Sequence, residues 1–167
     1  MRAVKGASLL VAMMAVVSCH DSPTQPNRTW YFRADLDGLP YAAEYIDYSW
    51  STGSHRMRIN GVREIIAGAQ RQVTLDLAWK GTGTYTLAGP AASSSFGFVL
   101  DLDAQQRNTG MWFTSTVSAG TVEVTEYDAK NHWVAGRFSF QADPESAVGA
   151  QVRIAAGQFG GYYYVDP

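Results

Sequence analysis

From Trp30 onward, apolar and polar residues alternate with a period of two, segment after segment. Successive side chains of an extended chain point to opposite faces, so this alternation predicts strands with one buried and one wet face. Trp30, Phe32, Ala34 and Leu36 share one phase, with Tyr31, Arg33 and Asp35 on the other; Asp37-Gly38-Leu39-Pro40 then reads as a turn. Met57 and Ile59 alternate with Arg56, Arg58 and Asn60, and Val73, Leu75, Leu77 and Trp79 oppose Thr74, Asp76, Ala78 and Lys80. A short strand at 84–88 lies between glycine turns, and Phe96, Phe98, Leu100 and Leu102 alternate with Gly97, Val99, Asp101 and Asp103. Strands follow at 111–117 and around Val122 and Val124. Val134, Gly136, Phe138 and Phe140 are expected to face inward, with Arg137 and Ser139 outward; Val152 and Ile154 alternate with Gln151 and Arg153, and Tyr162 to Val165 close the chain. The stretch "VREIIAGAQ", 62–70, keeps no clear period and reads as a loop containing a strand fragment.

One polar face per strand indicates antiparallel pairing, because parallel sheets bury both faces. The pattern predicts an all-β domain: an antiparallel β-sandwich or flattened barrel of about ten short strands, spanning residues 30–167.

The N-terminus breaks this rhythm. Arg2 and Lys5 precede "ASLLVAMMAVV", residues 7–17, which carries no charge. A positive segment followed by a short apolar one is the build of a secretory signal peptide, assigned here to residues 1–18. As a helix the apolar run would reach only about 17 Å, against roughly 30 Å for a bilayer core. Val16-Val17-Ser18-Cys19 resembles the lipobox of bacterial lipoproteins, with Val16 where leucine is usual. The resemblance implies cleavage before Cys19 and acylation of that residue, which would attach the mature chain to a membrane. Two or more acyl chains make a stable anchor, at about 0.8 kcal/mol per buried CH₂. Ordinary secretion with an unmodified cysteine is the alternative. His20 rather than Asp follows the cysteine, and the resemblance to lipoproteins, in many of which Asp at that place favours inner-membrane retention, implies the outer membrane. Residues 19–29, polar and bearing Pro23 and Pro26, read as a lipidated flexible tether with a root-mean-square reach of about 17 Å.

Composition adds two constraints. Aromatics at 13% and 16 glycines suit pleated sheets joined by tight turns. Without residues 1–18 the chain has 11 basic residues against 15 acidic ones, so it lacks the electrostatic footprint of a nucleic-acid binder. The single cysteine, Cys19, leaves the domain without disulfides, which a domain of this size does not need in order to fold.

No spacing in the chain specifies a cofactor or a metal, and none is expected. Asp101 and Asp103 sit two apart on one strand, about 7 Å from each other, within the range used by paired glycosidase carboxylates. Asp35-Leu36-Asp37-Gly38 is similar to the opening of a calcium loop, but Pro40 and Ile46 stand where an EF-hand needs Gly and Glu. His55 and His132 lie at turns without ligand spacing. Asn27-Arg28-Thr29 matches the glycosylation pattern, a short motif with little specificity. The aromatics are more informative. Tyr48 and Trp50 share one phase of "EYIDYSW", and Tyr162 and Tyr164 share one phase of "GGYYYV". These four are the candidate binding surface, for stacking on a sugar or another protein.

"FRADLDGLPYAA" (32–43), "SAGTVEVTEYDAKNHWVAGRFSFQA" (118–142) and "VRIAAGQF" (152–159) together resemble an uncharacterised family of small all-β bacterial lipoproteins. Its Gly-x-Phe-x-Phe and Gly-x-Phe elements are structural, and the resemblance brings no catalytic residue. The expectation is a lipid-anchored cell-envelope protein that serves as a non-catalytic binding or structural module, with a glycan or an envelope protein as the ligand. A carbohydrate-binding module or a glycan-active hydrolase on the outer side of the cytoplasmic membrane is the alternative.

Overall fold

The computed structural model describes residues 28–91, 93–146 and 149–167. Cys19, the signal peptide and most of the tether lie outside the described residues. Every regular element among those described is a strand, twelve in all: β1 (Tyr31–Leu36), β2 (Leu39–Ala42), β3 (Tyr45–Ser51), β4 (Arg56–Ile66), β5 (Ala69–Ala78) and β6 (Gly83–Leu87), then β7 (Phe96–Leu102), β8 (Asn108–Phe113), β9 (Gly120–Asp128), β10 (Trp133–Pro144), β11 (Val152–Tyr162) and β12 (Tyr164–Asp166). Sheet I runs β6-β9-β10-β11-β1-β2, and sheet II runs β12-β3-β4-β5-β7-β8. The last residues of β10, Asp143 and Pro144, leave sheet I and pair with Phe113 and Trp112 of β8. The hydrogen-bonded network is therefore continuous, folded over on itself and left open, not closed into a barrel. Among the twelve strands, pairing is antiparallel except that β12 lies parallel to β3, with Tyr164 opposite Ser49. That pair needs a partner from the far end of the chain, which a period of two cannot announce.

The alternation seen in the sequence holds where side-chain size and phase agree. Phe32, Ala34 and Leu36 are buried, as are Val134, Phe138 and Phe140, and they meet Met57, Ile59, Val73, Leu75 and Leu77 from the other sheet. Such side chains stabilise the fold by about 1.5–3 kcal/mol each when fully buried. The sheets approach closely because glycines stand at the contacts. A Cβ on Gly61 would lie only 2.4 Å from the Phe32 ring, and one on Gly97 would lie 3.1 Å from the Phe140 ring.

β7 reverses the expectation drawn from size. Gly97 and Val99 point inward, while Phe96, Phe98 and Leu100 lie half-buried on the outer face. The close pass of Phe140 leaves room on that strand for a glycine and no large ring. The segment 62–70 differs as well: it is no loop. β4 and β5 continue as one long hairpin, paired through Arg63–Arg71 and Glu64–Gln70 to a two-residue turn. Ala67 (φ 45°) and Gly68 (φ 85°) both take positive φ there, as a tight hairpin turn requires.

Arg28, inside the stretch read as tether, is fixed to sheet I. Its guanidinium lies 5.1 Å over the Trp133 ring and forms ion pairs with Glu126 and Asp128. Asp128 also accepts hydrogen bonds from the Asn131 side chain and backbone. The Asn131 bonds first, and Arg28 after them, hold its pKa down to about 2.

Candidate functional site

The outer face of sheet II carries an ordered polar network. Its register aligns one row across five strands: Tyr164 beside Ser49, Ser49 beside Arg58, Arg58 beside Asp76, and Asp76 beside Phe96. Asp76 sits on the phase that faces away from the core, yet only 2% of it is exposed. Two arginines from the neighbouring strand cover it. Arg58 donates to Asp76 Oδ2 through Nη2 (2.9 Å) and Nε (3.3 Å), and Arg56 Nε pairs with Oδ1. Arg56 Nη2 also donates to the carbonyls of Asp76 (3.2 Å) and Ser94 (2.9 Å), and its guanidinium stands 5.4 Å over the Phe96 ring. Charge-assisted bonds of this kind fix both side chains in one geometry.

A second row continues the network. Thr74, fully buried on the same face, donates to Asn60 Oδ1 at 2.8 Å; Gln72 donates to Thr74 Oγ1 at 2.9 Å; Asn60 donates to Asp47 at 3.2 Å. Short side chains on β3 leave a trough beside the arginines. It is a depression of about 210 Å³ lined by Ser49, Ser51, Ser54, Arg56, Arg58, Asp76 and Asp166.

Two other concavities lie at the sheet edges. One of about 600 Å³ runs beside β1 and β2 and includes Arg33, Asp35, Tyr41 and Arg63. The other, about 400 Å³, opens between β2 and the end of the β4–β5 hairpin, where Leu36, Leu39, Pro40, Tyr41 and Ile65 form an apolar wall.

The four aromatics singled out in the sequence do not form one platform. Tyr48 is in the core, 1% exposed; its hydroxyl donates to the Tyr31 carbonyl (2.9 Å) and accepts from the Gly160 N–H (3.2 Å). Burial raises its pKa well above the ordinary phenol value. Trp50 packs edge-on to Tyr163, with centroids 6.4 Å apart, at the margin of the core. Tyr162 lies on the other sheet, between Trp30 (6.3 Å) and Trp133 (5.0 Å). Tyr164 is at the surface, 55% exposed, on the outer face of sheet II beside Ser49. Much of the aromatic content fills one end of the sandwich instead, as a chain of rings from Trp50 through Tyr163, Tyr127 and Trp79 to Tyr85, spaced 5.0–6.4 Å.

The acidic pair is likewise divided. Asp101 accepts from Arg71 Nε at 2.6 Å, whereas Asp103 caps the following turn and accepts from the backbone N–H of Gln105 and Arg107 and from Arg107 Nε at 2.7 Å. A bulge between Asp101 and Leu102 breaks the phase that would have aligned them. Asp37 accepts from the Arg153 N–H at 2.8 Å, tying the β1–β2 turn to β11. His55 and His132 both sit in turns, and His132 stacks on Tyr163 at 5.2 Å. Among the described residues no group of three His, Cys, Asp or Glu converges as a metal site. The Asp76 network escaped the sequence reading because its members, on β4 and β5, meet only through register. The one available signal was an aspartate in a strongly alternating strand flanked across a hairpin by two arginines.

This architecture defines an all-β, sandwich-like domain with a polar outer sheet face. Residues 28–161 match the family described as a domain of unknown function (DUF6252), and the chain belongs to that family. No curated protein and no solved structure matches the chain.

Proposed function

We propose that the chain is a lipid-anchored cell-envelope protein whose sandwich-like domain is a non-catalytic binding module. The ordered polar face of sheet II carries the binding part of this reading: Asp76, Arg56 and Arg58 are held in a single arrangement before any ligand arrives, which lowers the ordering cost of recognition. The anchor rests on the charged-then-apolar N-terminus and on Val16-Val17-Ser18-Cys19. Arg28 adds support, because its clamp on Trp133, Glu126 and Asp128 gives the chain a fixed exit nine residues after Cys19. A hydrolase built on Asp101 and Asp103 would first have to release each from its own arginine.

Metabolic labelling with an alkyne palmitate analogue tests the anchor. The wild-type chain takes the label and fractionates with the outer membrane, and Cys19→Ala does neither. Equal labelling of both proteins refutes the anchor.

A further inference from the structure

The trough on sheet II has the chemistry of a sugar subsite. Its floor is Ser49 and Ser51 of β3, short hydroxyl-bearing side chains between the longer ones of β4 and β12. One wall is Arg56 and Arg58, and Asp166 of β12 stands on the other, opposite Ser51. The Arg58 side chain is 56% exposed, so part of its donor edge is open to solvent while Asp76 fixes its plane. Planar donors and acceptors held rigidly suit vicinal hydroxyls, which present a donor and an acceptor side by side. On the same face, directly beside Ser49, the half-exposed Tyr164 ring offers an apolar plate.

Charge narrows the ligand class. The two guanidiniums face two carboxylates, Asp76 and Asp166, so the trough carries no net charge. An anionic ligand near Arg58 would meet Asp166, and a cationic one would meet both arginines.

The geometry points to a binding site for a neutral pyranose saccharide, with Tyr164 stacking on the sugar face and Ser49, Arg58 and Asp166 contacting its hydroxyls. This rests on the binding-module reading and names its ligand class.

Isothermal titration of the detergent-solubilised full-length chain with maltohexaose, cellohexaose, xylohexaose and mannohexaose tests it, with polygalacturonate as the charged comparator. At least one neutral oligosaccharide is expected to bind; Tyr164→Ala and Asp166→Asn should each weaken it by about tenfold or more, and Tyr164→Phe should retain it. Tyr45→Ala, an exposed ring farther along the same face, should leave binding unchanged. Absence of binding to all four, equal binding by Tyr164→Ala, or preference for polygalacturonate overturns the assignment. A photo-crosslinker at position 164 that captures an envelope protein while no saccharide binds overturns the sugar and leaves the binding-module reading standing. Shortening of the oligosaccharide overturns that reading itself.

Discussion

Arg58 donates to Asp76 on the solvent side of sheet II, yet the aspartate is sealed from water by the arginines that pair with it. Removing the carboxylate leaves two cations side by side on β4 without the carboxylate that both of them bind. Asp76→Ala is expected to destabilise the domain by about 2–4 kcal/mol, below the figure for a fully buried pair because Arg58 remains more than half exposed. Urea denaturation measures it, and a loss under about 0.5 kcal/mol would mean that the network is ornamental.

Gly61 is predicted to be intolerant of a single methyl. Gly61→Ala should cost about 1–3 kcal/mol, since its Cβ would press to 2.4 Å from the Phe32 ring. Shrinking the opposing ring with Phe32→Leu in the Gly61→Ala background should recover part of that loss. A double mutant no better than the sum of its parts would assign the cost to backbone effects.

The β4–β5 turn can be improved. Ala67 adopts φ 45°, where asparagine is better tolerated, so Ala67→Asn should raise stability by about 0.5–1 kcal/mol. Thermal unfolding followed by circular dichroism reads the change, and a lowered midpoint would contradict the turn geometry.

Acid should loosen the N-terminal clamp late. The Asp128 carboxyl is held down to about 2, below its ordinary unfolded value, so its contribution is complete above the unfolded pKa and disappears as pH falls towards about 2. In Arg28→Ala the Asp128 pKa should rise towards the usual carboxylate range but not reach it, because the Asn131 bonds persist. Carboxyl NMR titration of the two proteins decides this; an unmoved pKa would detach Arg28 from the site.

The legible parts of the fold are those where phase, size and turn chemistry agree. Phe32-Ala34-Leu36 and Val134 to Phe140 read correctly because their large residues all lie on the core side. Phe96 and Phe98 read poorly because inter-sheet distance, set by Phe140, outweighs hydrophobicity at that strand. Residues 62–70 hid a hairpin because Ala67 gives no turn signal and the strand ends are exposed on both faces. Tyr48 and Tyr164 look alike in sequence, as tyrosines in aromatic runs. One enters the core and the other stays on the surface, and the parallel pairing of β12 with β3 sets the place of the second. The polar site shares that dependence, for Asp166 and Arg58 are brought together by strands more than a hundred residues apart in number.

That same topology has a kinetic meaning. β1 finds its neighbour in β11, and β3 finds one in β12, so both sheets need residues 152–166 to complete their first strands. Contacts this distant along the chain close slowly, later than the local pairings of β1 with β2 and β3 with β4. A partially synthesised chain lacks the strand that would order its own beginning. The native pairing of β1 and β3 is therefore complete only once residues 152–166 are available.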